Sequence, residues 1–478
     1  MSKFYITNAI PYVNAKPHIG HALEFVQSDV IARYRKIQGD NVLLLSGGDE
    51  NALKNVQAAE KAGVPIQEFV DKNTELFHNL SKHLSVSFDV WQKGSDKKNH
   101  YAATQKLWEL CNKAGDIYKK AYKGLYCVGC EMFYSEDELD ENRECFEHPG
   151  KRLDEVEEEN YFFRLSKYQN QLIDLLSSGK YQIVPEFRKN EMLSFLKNPL
   201  EDISISRSNE RAKNWGVPVP NDASQRIYVW FDGLNIYQSG IGFGWNQAEY
   251  KKWWPADIHV IGKGIARFHA IYWPAFLLSA NLALPKKLFI HEYFTVNGKK
   301  MSKTIGNVID PEILIQKYGT DALRYYFLAK FSPFSDGDFS EEKLQSIYTS
   351  DLSNGLGNLV SRIAKLCENA SFDITDHSKH SIDNDTYTKA IEEFKFNEAL
   401  SIVWNKIADT DKYINKEQPW SLIKSNPNRS KEVLAHLVDQ IEEIAVLLSP
   451  FLPNTSEKIL SIFHEKVKLD KPLFPRIS

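Results

Sequence analysis

Apolar positions in the first hundred residues recur with two alternating periods. "KFYITNAI" is β-branched and aromatic and reads as a strand. After a turn punctuated by Pro11 and Pro17, the residues Ile19, Ala22, Leu23, Val26, Val30 and Ile31 share one helical face. "DNVLLLSGGDE" is a continuous apolar run ending in Gly47, Gly48, Asp49 and Glu50, the form of a buried parallel strand. Amphipathic helices follow in "NALKNVQAAEKAG" and "IQEFVDKNTELFHNLSKHL". Alternation of this kind predicts a doubly wound, Rossmann-type α/β domain.

Between residues 116 and 225 the alternation stops, and charges crowd "SEDELDENRECFEHPGKRLDEVEEEN". That texture reads as an inserted domain. The pattern resumes with "QRIYVWFDGL" and "DIHVIGKGI" as strands, "ARFHAIYWPAFLLSANL" as a helix and "LFIHEYF" as a strand. From residue 346 the apolar spacing is helical without strand signals, which predicts a helix bundle. The expected organisation is one half of the α/β domain over 1–115, an insertion over 116–225 and the second half over 226–290. A lysine-rich loop region over 291–345 and an α-helical bundle over 346–478 complete it.

Composition narrows the class. A chain of 478 residues is long for one core. With 26% charged residues and a net charge of -4 it is no generally basic nucleic-acid coat, so any RNA contact rests on local patches. The longest apolar stretch, "IYWPAFLLSANLALP", is broken by Pro274, Ser279 and Asn281 and is too short to span a bilayer. The amino terminus carries a strand rather than a signal segment, and five cysteines make no disulfide framework. A cytoplasmic protein with no membrane partner is expected.

His18 and His21 stand around Ile19-Gly20 at a strand-to-helix turn, where free backbone N–H groups favour an anion. Far downstream, "VNGKKMSKTIGNVI" interleaves Lys299, Lys300 and Lys303 with Ser302 and Thr304. Together, "HIGH" and "KMSK" resemble the paired signatures of class I aminoacyl-tRNA synthetases. The resemblance implies activation of an amino acid, in which a carboxylate attacks the α-phosphate of ATP, itself a substrate accompanied by Mg(2+). A carboxylate needs no general base, whereas the transition state needs donors and positive charge around the phosphates. His18, His21, Lys300 and Lys303 are the catalytic candidates. They also bind ATP together with Gly20, which leaves room for a flat adenine, and Ser302.

"AIPYVNAKPHIGH", "YVWFDGL", "HVIGKGIARFHAIYWPA" and "NGKKMSKTIGN" are similar, in order and over essentially the whole chain, to segments of the methionyl-tRNA synthetase family. Methionine is unbranched, neutral and polarizable, so a selective pocket is apolar and rich in aromatics. The resemblance puts Ala9, Ile10, Tyr12, Trp230, Tyr237, Ile265, Phe268, His269 and Trp273 in that pocket, with Asp49 placed to pair with the substrate ammonium. On the residues alone, Phe268 and Trp273 read equally well as the core of an amphipathic helix. The chain departs from the family pattern at Asp49-Glu50-Asn51-Ala52, where many members have Asp-Glu-His-Gly. It also departs at Gly262-Lys263-Gly264, where many have Gly-Lys-Asp, and at Leu234, where a proline is also seen.

In the insertion, Cys127-x-x-Cys130 and Cys145-x-x-His148 have the spacing of two zinc knuckles. A close cysteine pair also suits a redox disulfide, but the second knuckle ending in His148 and a cytosolic setting argue against it. Four protein ligands predict one structural zinc per chain, which agrees with the family's inserted domain. The resemblance further implies that the helical region reads the anticodon of tRNA(Met) through Asn358 and Arg362 of "GNLVSRI" and Pro419 and Trp420 of "NKEQPW". A bundle-core tryptophan and a surface arginine are the alternative. The chain ends at Ser478 without the β-barrel domain some relatives append, so a monomer is expected, with L-methionine, ATP and tRNA(Met) as partners.

Among rivals, a cysteinyl enzyme needs an early cysteine, and none precedes Cys111. Isoleucyl, valyl and leucyl enzymes carry a large editing insertion for which this chain has no room. A non-synthetase adenylyltransferase can share the first signature but does not need the lysine loop together with a helical bundle.

Overall fold

The structure is a computed structural model that describes residues 2–134, 136–148, 150–301, 306–372, 374, 382, 384–464, 467, 469 and 471–477. The chain divides into two compact units. Met1–Pro17, Asn41–Asn79 and Ser87–His291 form the first, and His18–Asp40, Leu80–Val86 and Glu292–Ser478 form the second.

The first unit is built on a six-stranded sheet. Its strands are β1 (Lys3–Asn8), β2 (Asn41–Gly48), β3 (Val90–Lys93), β4 (Gln182–Val184), β5 (Ile258–Gly262) and β6 (Lys287–His291). They lie in the order β3-β2-β1-β5-β6-β4, and all pairings are parallel. Ile6 stands opposite Leu44 on one side and Ile258 on the other, so the expected doubly wound sheet is present. Such sheets bind ligands outside the carboxyl ends of their strands. Here those ends deliver Ala9, Asp49 and Lys263.

Three expectations need correction. The edge strand β4 comes from within the stretch read as an insertion, because three residues pairing Ile183 with Leu288 are too short to show a period. "QRIYVWFDGL" is not one strand: the strand stops at Ile227, and Val229–Leu234 is helical with every residue buried. A run that is apolar all round carries no period to separate strand from helix. The helix expected over residues 266–282 is present but irregular, and it ends at Ser279. Phe268–Tyr272 forms a π-helical turn ahead of Trp273–Ser279, where Pro274 cannot continue a regular hydrogen-bond ladder.

The charge-crowded insertion is antiparallel. Ile117–Cys127 pairs with Asp154–Phe163 from Ile117 opposite Phe163 to Tyr126 opposite Asp154. The crowding is cross-strand pairing, with Lys119–Glu159 at 3.4 Å and Lys123–Glu157 at 4.0 Å.

The second unit joins α1 (Ile19–Ile37) to the helical C-terminal region. The reason is a buried ion pair: Arg324 lies 2.7 Å from Asp29, with side chains 0% and 4% exposed. The same guanidinium donates to the carbonyls of Leu84, Pro450 and Phe451, so α1, residues 80–86 and the bundle share one satisfied charge. Asp29 is buried with Gln27 and Ser28, making α1 buried beyond the single face its periodicity marks.

Candidate active site and metal centre

In the first unit, Ala9 extends β1 by donating to the Val260 carbonyl at 2.9 Å, and a bridge pairs Tyr12 with Asp49. Trp230 stacks on Phe268 with ring centroids 3.5 Å apart and meets Tyr12 edge-on at 6.0 Å. Ile10 and Ile265 pack against the same core. Asp49 is buried beside Gly233, where an added Cβ would touch both its carboxylate and Ile10. Burial first, and Asp232 second, hold the Asp49 carboxyl well above the ordinary range, while Lys54 opposes them. The Tyr12 hydroxyl is buried with no hydrogen-bond partner among the described residues.

Tyr237 and His269 form a buried polar pair in the same unit. His269 Nδ1 lies 2.9 Å from the Ile265 carbonyl, which can only accept, so the ring proton is on Nδ1. Its Nε2 then accepts from the Tyr237 hydroxyl at 2.8 Å. Burial pushes the His269 pKa down to about 4, so the ring is neutral near pH 7. Behind Tyr237, the fully buried Trp273 donates its indole N–H to His259 Nε2 at 3.3 Å, and His259 Nδ1 is bonded to Thr7. Trp273 is therefore a core wall, 6.5 Å ring to ring from Tyr237.

The phosphate signatures belong to the second unit. His18 is the N-cap of α1 and makes a reciprocal capping box: its Nδ1 accepts from the Gly20 N–H, and His21 Nδ1 accepts from the His18 N–H, both at 3.1 Å. In the neutral rings, 3.9 Å apart, the remaining proton is on Nε2. At Gly20 an added Cβ would lie 3.0 Å from the His18 ring and 3.6 Å from the Met301 side chain. The room at Gly20 thus takes the capping imidazole and brings the lysine loop alongside. Ile19 also donates to the Ile309 carbonyl at 3.2 Å. The loop opens as a hairpin whose turn residues, Asn297 and Gly298, both have positive φ. The backbone of Lys300 is in its second strand. Ser302 and Lys303 lie outside the described residues.

Among the described residues, Cys127, Cys130, Cys145 and His148 place four ligand atoms within 4.8 Å of one another, an arrangement that can hold a metal ion. The Cys145 sulfur lies 3.2 Å from that of Cys127 and 3.7 Å from that of Cys130, and His148 Nδ1 lies 3.3 Å from the Cys130 sulfur. The hydrogen bond from the Cys130 thiol holds Cys127 well down toward thiolate. Gly129 is required here, since an added Cβ would meet the His148 ring at 2.6 Å.

Residues 4–364 match the family of tRNA synthetases class I (M), and residues 378–476 match the anticodon-binding domain of tRNA ligases. The chain belongs to the methionyl-tRNA synthetase family. The methionine–tRNA ligase of Thermotoga maritima is 42% identical over 472 residues, 96% of this chain and 74% of that protein. The Brucella suis enzyme is 39% identical, covering 99% and 93%. The crystal structure of Mycobacterium tuberculosis methionyl-tRNA synthetase bound by methionyl-adenylate has a TM-score of 0.92 at 33% identity, covering 99% of this chain and 100% of that one.

The synthetase's expected anticodon residues lie in two places. Asn358 is exposed at the start of its helix, and Arg362 is paired with Asp411 and bonded to Asn415 at 2.9 Å. Both precede the anticodon-domain match, whereas Pro419 and Trp420 fall within it. Pro419 is buried at the first turn of its helix, and Trp420 is 47% exposed, so it is no bundle-core tryptophan.

Several residues escape a reading of synthetase motifs. Asn51, at the family's histidine position, donates to Gly94 O and to Asp232 Oδ2, each at 2.7 Å. Asp232 also binds buried His100 and so is fixed beside Asp49. An acid inside the apolar run "YVWFDGL" was the available signal for Asp232; His100 and His259 had none. Lys54, whose part-buried ammonium is pushed down to about 8 chiefly by burial, sat unremarked in a helix.

Proposed function

We propose that this chain is a methionine–tRNA ligase: it joins L-methionine to AMP from ATP, releasing pyrophosphate, and passes methionine to the 3'-terminal adenosine of tRNA(Met), releasing AMP. One observation carries the choice of amino acid: Trp230, Phe268, Tyr12 and the neutral Tyr237–His269 pair make a box beside the buried Asp49. Asp49 pairs with the substrate ammonium. The aromatics take an unbranched thioether, for which a charged or β-branched side chain is a poor match. His18 and His21, their Nδ1 atoms occupied by caps, supply Nε2–H donors to the phosphates of ATP with its Mg(2+). Lys300, Ser302 and Lys303 supply the lysine-loop contacts on the strength of the signature.

The insertion holds zinc in this reading. Bonds of about 2.3 Å in a tetrahedron put ligand atoms about 3.8 Å apart, close to the separations in the cluster. With all four positions filled by protein, that ion shapes the insertion, and metal analysis is expected to find about one zinc per chain. Asn358, Arg362 and Trp420 read the anticodon, with Pro419 fixing the helix that carries Trp420. Among the described residues no helix is long and apolar enough to cross a membrane, and the proposal includes a cytoplasmic monomer.

Amino-acid-dependent ATP–pyrophosphate exchange across the twenty amino acids tests the assignment. Exchange with methionine alone supports it; exchange driven by another amino acid and not by methionine overturns it.

A further inference from the structure

The metal knuckle and the amino-acid box are joined by three hydrogen bonds to one turn. Cys127 to Glu131 closes the first knuckle, and three successive positions of it grip the box. The Gly129 carbonyl accepts from the Lys54 ammonium at 3.0 Å. The Cys130 carbonyl accepts from the Trp230 indole N–H at 3.2 Å. The Glu131 carboxylate accepts from the Lys54 backbone N–H at 3.0 Å and is itself fully buried, bonded to Tyr126 and Arg207. The Lys54 ammonium also sits 3.0 Å from the centroid of the Tyr12 ring. The two aromatic walls that meet edge-on, Tyr12 and Trp230, therefore each rest on a carbonyl of the turn, Trp230 directly and Tyr12 through Lys54.

We infer that Lys54 is a positioning residue for methionine, the strut that carries the shape of the metal knuckle to Tyr12 and Asp49. Three features favour this over a surface lysine that happens to fold inward. Glu131 of the knuckle turn and Asp49 of its own segment both favour the charged ammonium against its burial, which opposes it. A cation over a ring, desolvated, adds attraction that an exposed lysine does not have. The carbonyl it uses belongs to Gly129, whose lack of a Cβ is forced by the ligand His148, so the anchor is only as fixed as the ligand. The chain of contacts runs His148, Gly129, Lys54, Tyr12, and it is a built path rather than a single contact.

This inference rests on the reading of the box as the methionine site, and the test separates the two. Lys54→Met keeps the stem and removes the charge and donors. Methionine affinity is measured without ATP by calorimetry on the metal-loaded chain and on the chain stripped by a chelator, with the KM for ATP and the thermal midpoint alongside. The expected result is at least a tenfold weaker methionine Kd in Lys54→Met, with kcat and the KM for ATP within about twofold of the unaltered chain. Stripping the metal weakens methionine binding in the unaltered chain and adds little in the variant, because the strut is already cut. A variant that binds methionine normally overturns the inference, as does one in which metal removal and the substitution add in full. Equal losses for methionine and ATP with a lowered midpoint overturn it too, in favour of plain structural support. An unaltered chain that binds no methionine refutes the reading of the box itself.

Discussion

Two pairs of imidazoles are held in opposite ways in the two units. In the first, His259 and His269 are 0% and 1% exposed, and both nitrogens of each ring are bonded to neighbours inside the unit. In the second, His18 and His21 are half-buried and use Nδ1 to cap the start of α1, which assigns the N–H of each ring to Nε2. The first pair is kept neutral by burial and lies within the core; the second caps a helix end, a position suited to anions. A neutral side chain offers only shape and polarizability, and one methylene in an apolar pocket discriminates by only roughly 1–3 kcal/mol. Selection therefore needs walls fixed before binding. Phosphate binding draws on charge and N–H groups, and caps and turns suffice to hold those.

Substitutions in each unit should lose different things. The largest effect is expected for Asp49→Asn, which removes one partner of a buried charge pair with the substrate ammonium. Such a loss costs roughly 2–5 kcal/mol, about 30- to 5,000-fold in kcat/KM for methionine, with the KM for ATP little changed. Pyrophosphate exchange at varied methionine and ATP checks it. Lys303→Ala should lower the exchange rate by about 10²–10³ while leaving methionine affinity alone, since the lost donor acts in the transition state. A parallel loss of methionine affinity would break the division between the units.

Trp420→Ala sharpens the contrast from the helical region of the second unit. A lost base–aromatic stack costs roughly 1–3 kcal/mol, so aminoacylation of tRNA should fall about 5- to 150-fold. Adenylate formation and the thermal midpoint should hold, because a side chain 47% exposed supports little core. Equal losses in both reactions with a collapsed midpoint would assign Trp420 to the bundle's stability instead. The smallest effect is that of pH. The raised pKa of Asp49 means that it takes up a proton at a higher pH than an exposed aspartate. A protonated Asp49 cannot pair with the ammonium, so methionine affinity falls as pH falls through that raised value, by about tenfold per unit below it. Titrations from neutral to acid pH should show this decline, and Asp49→Asn should abolish it.

How much of this was legible in the sequence follows chain separation. The strand of "KFYITNAI", the buried strand ending at Asp49, the capped His18–His21 turn and both knuckles are local patterns, and each could be read from its own few residues. Contacts from far along the chain were invisible. Lys54 meets Gly129 across 75 positions, and Trp230 meets Cys130 across 100. The ion pair of Asp29 with Arg324 likewise moves α1 out of the block to which its sequence position assigned it. Phe268 and Trp273 look alike in the sequence, yet one stacks on Trp230 and the other is fully buried in the core, its indole bonded to His259. Only the family resemblance suggested a role in the site for that helix, and only packing divides its two rings.

The central claim is that the methionine box is complete within the first unit. Calorimetric titration of L-methionine into the ATP-free chain, repeated on Lys303→Ala and with L-isoleucine as the competitor of different shape, tests it most directly. The account predicts the same methionine Kd for both proteins and no measurable binding of isoleucine. Methionine that binds only when ATP is present, or a Kd that shifts with the lysine, would contradict it.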